Sequence, residues 1–227
     1  MFEFLRTYLC CGCNERVKRN DAAFIYKNSC ICHNCFSEFE PFSETALFES
    51  IKGVDFVAPV FNYSGKYREI FLKFKFYSDF SAGHLLGQAI KASFNQRENF
   101  KDCDLIVPIP ISRKRMRERG YNQSDILADY LSDVLGIPVC KALVRKRHSL
   151  PQSKTYGVGR IANVKGAFES VESLFGKRII LFDDVYTTGS TMNECAKKLK
   201  ESGAQSVCAI SGAYVYKEYK DKRIHRF

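Results

Sequence analysis

The stretch Ile179 to Thr191, IILFDDVYTTGST, constrains this chain more than any other part of it. Four consecutive apolar residues, Ile179 to Phe182, predict a strand buried on both faces. After a polar loop, Met192, Cys195, Ala196 and Leu199 recur at helical spacing, with Gly203 beyond the helix end. Asp183 and Asp184 are expected to emerge together at the strand end, pointing to opposite sides. Paired carboxylates there match the vicinal hydroxyls of a ribose. The loop Thr187 to Thr191 then offers hydroxyls and unpaired amides to an anion at the positive end of the helix dipole, and Gly189 lets the backbone come close. No lysine stands in this loop and GxxxxGK[ST] is absent from the chain, which excludes a nucleoside triphosphatase P-loop. Val185 stands where a haloacid dehalogenase would need its second aspartate.

The same order of elements recurs. FVAPVFNY, from Phe56, reads as a strand, SGK as a turn, and YREIFLKFKF as a helix with Tyr67, Ile70, Phe71 and Phe74 on one face. DLIVPI, Asp104 to Ile109, has the continuous apolar character of a buried parallel strand, ended by Pro110. Asn122 to Leu135 places Ile126, Leu127, Tyr130, Leu131, Val134 and Leu135 at helical spacing before Gly136, and Ser206 to Ile210 reads as a last strand. This alternation predicts an α/β fold: a parallel sheet with helices on both faces, its ligands beyond the carboxyl ends of the strands. Between DLIVPI and the helix from Asn122 lies a run with Arg113, Lys114, Arg115, Arg117 and Arg119 against one acid, Glu118. Read as a loop after a buried strand, it suits a pyrophosphate leaving group.

The N-terminus is built differently. Cys10-x2-Cys13 and Cys32-x2-Cys35 stand eighteen residues apart, the spacing of a four-cysteine structural zinc site. Cys11, Cys30 and His33 are nearby competitors for the ligand set. The segment has little room for a core, so a zinc ribbon over residues 1–50, including its connection, and a main domain over residues 51–227 are expected. Cys103, Cys140, Cys195 and Cys208 read as small core residues.

Composition sets the remaining bounds. The apolar fraction of 45% and charged fraction of 26% belong to a globular chain, and 227 residues suffice for one domain with an annex. No run approaches a membrane span, and the opening lacks a secretory pattern, so a cytoplasmic location without membrane insertion is expected. A net charge of +10 favours polyanionic partners.

Four hydrophobics, two acids, a hydrophobic, two variable residues and TGST resemble the signature by which type I phosphoribosyltransferases bind phosphoribosyl pyrophosphate (PRPP). With VPIPISRKRMRERGYNQ, LVRKRHSLPQ, RIANVKGAF and the cysteine module, the chain is similar to the ComF family of competence-associated, phosphoribosyltransferase-like proteins. The resemblance implies PRPP contact by Asp183, Asp184, Thr187, Thr188, Gly189, Ser190 and Thr191, with Ser112, Arg113 and Lys114 at the pyrophosphate loop. Arg119, Gly120, Tyr121, Asn122 and Gln123 match the RGxNQ element. Arg145, Gln152, Arg160 and Asn163 match a second stretch, where Ser149 replaces the usual threonine. Asp183 and Asp184 would be the catalytic acids, holding the sugar and stabilising its oxocarbenium character, with Mg2+ accompanying PRPP. The association with DNA uptake implies handling of single-stranded DNA, through Arg115, Arg117, Arg119 and Tyr121, and contact with other DNA-uptake proteins. Plain nucleotide salvage is the alternative. No acceptor pocket is named by the sequence, although the zinc module or the tail carrying Tyr214, Tyr216 and Tyr219 could supply a hood.

Overall fold

A computed structural model describes residues 6–42, 53–94, 97–146 and 164–216. The family stretches around Ser149, Gln152, Arg160 and Asn163, most of the connection expected at residues 41–53, and Tyr219 of the tail fall outside them.

The main sheet has the strand order β5-β10-β9-β6, formed by Val57–Asn62 (β5), Ser206–Tyr214 (β10), Arg178–Tyr186 (β9) and Leu105–Pro108 (β6). All three pairings are parallel. The central strands are apolar on both sides because helices cover both sides. Ile106, Ile180, Phe182 and Ile210 face α2 (Gly65–Phe76), α3 (Phe80–Ser93) and α5 (Gln123–Leu135), while Val107, Ile179, Leu181 and Val207 face α6 (Ser190–Glu201). The four residues expected to point inward from α6, Met192, Cys195, Ala196 and Leu199, are buried. Pro59 lies on edge strand β5, where a missing N–H costs least.

Helix α3 carries no clean apolar stripe in sequence. Gly83, Gly87, His84 and Gln88 interrupt its pattern, yet its start is encoded locally: Ser78 takes φ 54° and Asp79 caps the helix by accepting from the Ala82 amide at 3.0 Å. The basic run, expected as a loop, is instead the short helix α4 (Arg113–Arg119). Ser112 caps it, Gly120 ends it at φ 79°, and arginine, lysine, methionine and glutamate between them are good helix formers. A two-stranded antiparallel pair, β7 (Leu143–Arg145) with β8 (Phe168–Ser170), packs on the α6 side.

The N-terminal module is a second sheet, β2-β1-β4-β3, from Thr7–Cys10 (β1), Arg16–Lys18 (β2), Ala22–Tyr26 (β3) and Ser29–Cys32 (β4), followed by α1 (His33–Ser37). It is less dependent on metal for a core than its composition suggests, because it shares one. Ile31 and Phe39 join the cluster that contains Phe61, Tyr67 and Ile90. The Phe39 ring meets Phe61 and Tyr67 edge-on at 5.4 Å, and Tyr26 stacks on His84 at 4.1 Å. Lys73 of α2 donates to Cys11 O at 2.6 Å and Asn14 Oδ1 at 2.9 Å, fastening the cysteine loop to the main domain. Of the four scattered cysteines, Cys195 and Cys208 are buried, whereas Cys103 and Cys140 are only partly so.

Candidate functional site

Strand β9 outruns its neighbour. β6 stops where Pro108 pairs with Phe182, while β9 continues beside β10 to Tyr186. Asp183 and Asp184, expected to leave the sheet after Phe182, therefore remain in it. They stay in the ladder to β10 with their β6 side uncovered, and their alternation sends them to opposite faces.

Asp183 lines an open cleft with Thr187, Gly189, Thr191 and Met192. Its Oδ1 accepts from Ser124 Oγ at 3.2 Å and from the Asp184 amide at 2.9 Å, and among the described residues no cation pairs with it. Burial, and then the charge of Asp184, push its carboxyl far above the usual carboxylate range against the opposing charge of Lys75. Asp184 points to the other face, where Lys75 Nζ of α2 approaches its Oδ2 at 3.3 Å. The two acids thus hold different environments, one counterbalanced and one open to a ligand.

The opposite wall is the start of α6. Gly189 at φ 73° occupies the N-cap position, a conformation that favours glycine, and no side chain caps the helix. The amides of its first turn are free to meet an anion. Thr188 Oγ1 and Ser190 Oγ lie 3.0 Å apart and add hydroxyl donors beside them. Ser112 in turn is the N-cap of α4, its hydroxyl accepting from the Arg115 amide at 3.3 Å. Arg113, Lys114, Arg115 and Arg117 are exposed, with Lys114 3.9 Å from Glu118.

Arg119 turns inward: it donates to Gln123 Oε1 at 3.1 Å and lies 5.4 Å over the Phe76 ring. Burial lowers the pKa of Arg119 and of Arg145, and the charge of Arg115 lowers each further. The positive charge of Arg115 therefore acts on both inward-turned arginines. Lys75, Ser124 and Arg145 were not assigned roles by sequence. Ser124 directly follows the RGYNQ string and Arg145 lies in the second matching stretch, whereas Lys75 carried no signal there.

Tyr121 is not at the surface, in contrast to its expected role as a stacking contact. It is 7% exposed, stacks on Phe74 at 5.2 Å, packs on Phe80 at 4.5 Å and donates its hydroxyl to Phe74 O. The apolar ring is worth more in the junction of α2, α3 and α5 than in water.

In the N-terminal sheet, the sulfurs of Cys10, Cys13, Cys32 and Cys35 lie within 4.8 Å of one another. Among the described residues, Cys11, Cys30 and His33 lie outside this cluster. The Gly12 and Cys32 amides each donate to Cys10 Sγ at 3.4 Å, and the Cys35 amide donates to Cys32 Sγ at 3.5 Å. Burial opposes a thiolate at Cys10, but the amides of Cys13, Cys32 and Gly12 outweigh it and bring its thiol down to about 7. Cys11 is driven up by burial, and Cys30 likewise to about 12. Four clustered cysteine sulfurs, those of Cys10 and Cys32 supported by backbone amides, fit a closed structural zinc site.

Comparison with known proteins agrees with this architecture. A family model described as the phosphoribosyl transferase domain matches residues 120–226. "Competence protein F" of Haemophilus influenzae is 29% identical over 88% of this chain and 87% of its own length. "Competence protein ComFC" of Bacillus subtilis is 32% identical over 67% of this chain and 61% of its own. "DNA utilization protein YhgH" of Escherichia coli is 37% identical over 46% of each chain. A phosphoribosyltransferase-like parallel sheet joined to a four-cysteine module, with the two competence proteins matching 88% and 67% of its length, places the chain in the ComF family.

Proposed function

We propose that this is a PRPP-binding, phosphoribosyltransferase-like protein of natural transformation that handles incoming single-stranded DNA. The observation that carries the ligand assignment is Asp183: a carboxyl with no cation partner among the described residues, facing an uncapped helix N-terminus across an open cleft. The ribose hydroxyls of PRPP would be held by Asp183 and Asp184, and its 5-phosphate by the loop Thr187, Thr188, Gly189, Ser190 and Thr191. Arg113 and Lys114, after the capping Ser112, with Arg115 and Arg145 would face the pyrophosphate. Mg2+ would fit the same place, because Asp183 offers the cleft a carboxylate oxygen suited to a hard cation; when bound it would neutralise the diphosphate.

The role in transformation is supported by relatives named for competence and DNA utilisation. Location in the cytoplasm and contact with other DNA-uptake proteins follow from that role as parts of the same proposal. Salvage transfer of ribose 5-phosphate to a nucleobase remains the second reading, favoured by the family match at residues 120–226. Asp183 and Asp184 would then stabilise the oxocarbenium character of the sugar as pyrophosphate departs.

Calorimetry with PRPP and Mg2+ tests the ligand. Wild type should bind, and the Asp183→Ala, Asp184→Ala double variant should lose at least tenfold in affinity; equal affinity would defeat the cradle. Turnover of a free base with no affinity for DNA would decide for salvage.

A further inference from the structure

Three large aromatic side chains stand exposed together at the turn between α2 and α3: Phe76 at 55%, Tyr77 at 75% and Phe80 at 47%. Such a cluster is uncommon on a soluble surface unless something covers it. The turn is also held by local hydrogen bonds. The amides of Tyr77 and Asp79 donate to Lys73 O, Ser78 takes a left-handed conformation, and Asp79, the acid of the turn, is engaged with the Ala82 amide. Tyr121 packs against Phe80 at 4.5 Å and ties its hydroxyl to Phe74 O, which gives the Phe80 ring a buried support. Arg119 over Phe76 joins this patch to α4, where Arg113, Lys114, Arg115 and Arg117 are exposed and one acid, Glu118, opposes them.

We infer that the α2–α3 turn is a stacking platform for single-stranded nucleic acid, Phe76, Tyr77 and Phe80 receiving bases while α4 follows the phosphates. The inference rests on the DNA-handling reading above and names its surface. Rings and cations side by side match a polymer that alternates flat bases with phosphates. A free nucleobase brings no phosphate and needs an enclosing pocket that buries most of it, whereas these rings are about half to three-quarters exposed.

The chain has no tryptophan, so Tyr77→Trp installs a single reporter. With oligo(dT), its fluorescence should be quenched on stacking. Tyr77→Ala and Phe80→Ala, in the full chain and checked for unchanged zinc content and circular dichroism, should each weaken oligo(dT) binding roughly 5- to 150-fold. Neither removes a charge, so the slope of log K against log salt should hold, whereas Arg117→Ala should reduce it by about 0.7. If wild type binds no oligo(dT), the DNA-handling reading falls, and the platform with it. If wild type binds and both ring variants bind equally well, only the platform falls. Loss of a self-associated form in Tyr77→Ala, without change in DNA affinity, would assign the rings to contact between copies and overturn the inference.

Discussion

Replacing Asp183 by asparagine should stabilise the free protein while weakening its ligand, and the gain should depend on pH. The amide side chain keeps an oxygen to accept from Ser124 Oγ and the Asp184 amide, so the bonds at 3.2 and 2.9 Å survive. What the substitution removes is a carboxyl held far above its ordinary value by burial and by the neighbouring acid. The sign follows from the raised folded-state value. Below about pH 4, where both folded and unfolded carboxyls are protonated, aspartate carries no electrostatic penalty. As pH rises past the unfolded value, the unfolded chain ionises freely while the folded one holds its proton, so wild-type stability falls until the folded value is passed.

The advantage of Asp183→Asn should therefore be near zero at acid pH and largest above neutrality. Relieving one of two like charges in a part-buried site is worth on the order of 1–3 kcal/mol. For a chain of this size, about 2–4 °C per kcal/mol converts that into a rise of roughly 2–12 °C in Tm. Scanning calorimetry of both proteins at pH 4.5 and 8, without PRPP or Mg2+, measures it. A variant less stable than wild type at pH 8, or a difference equal at both pH values, would refute the reasoning. PRPP and Mg2+ should narrow the gap, since they stabilise only the form that binds them well.

Two further outcomes are expected from residues outside the cleft. Lys75→Ala leaves Asp184 buried without its 3.3 Å partner and should cost about 1–3 kcal/mol in urea denaturation; a double variant with Asp184→Asn should recover most of it, and strict additivity would argue against the pair. A Cβ at Gly12 would meet Cys35 Sγ at 2.6 Å, so Gly12→Ala should lose zinc to a mild chelator at least tenfold faster than wild type. Equal metal retention would show that the knuckle has slack.

The parallel sheet was legible in advance because its strands are coded by contiguous apolar runs: Ile179 to Phe182, Leu105 to Val107 and Ser206 to Ile210 each name their own burial. The inward face of α6 and the four-cysteine pattern were equally local, since helical periodicity and ligand spacing are properties of one segment. Other features depend on what distant segments bring. The two acids separate into an open and a counterbalanced site because Lys75, 109 residues from Asp184, makes its ion pair with Asp184 and not with Asp183. Tyr121 is a floor rather than a contact because Phe74 and Phe80 come to lie against it. Phe76 lies off the apolar face read for its helix and Tyr77 and Phe80 carry no pattern of their own, so only the packing of α2 against α3 gathers them on the outside. Local sequence determines which residues want burial and which carry charge. Only the tertiary arrangement decides which of them find partners, because burial and ion pairing are settled by neighbours that the chain supplies from far along its length.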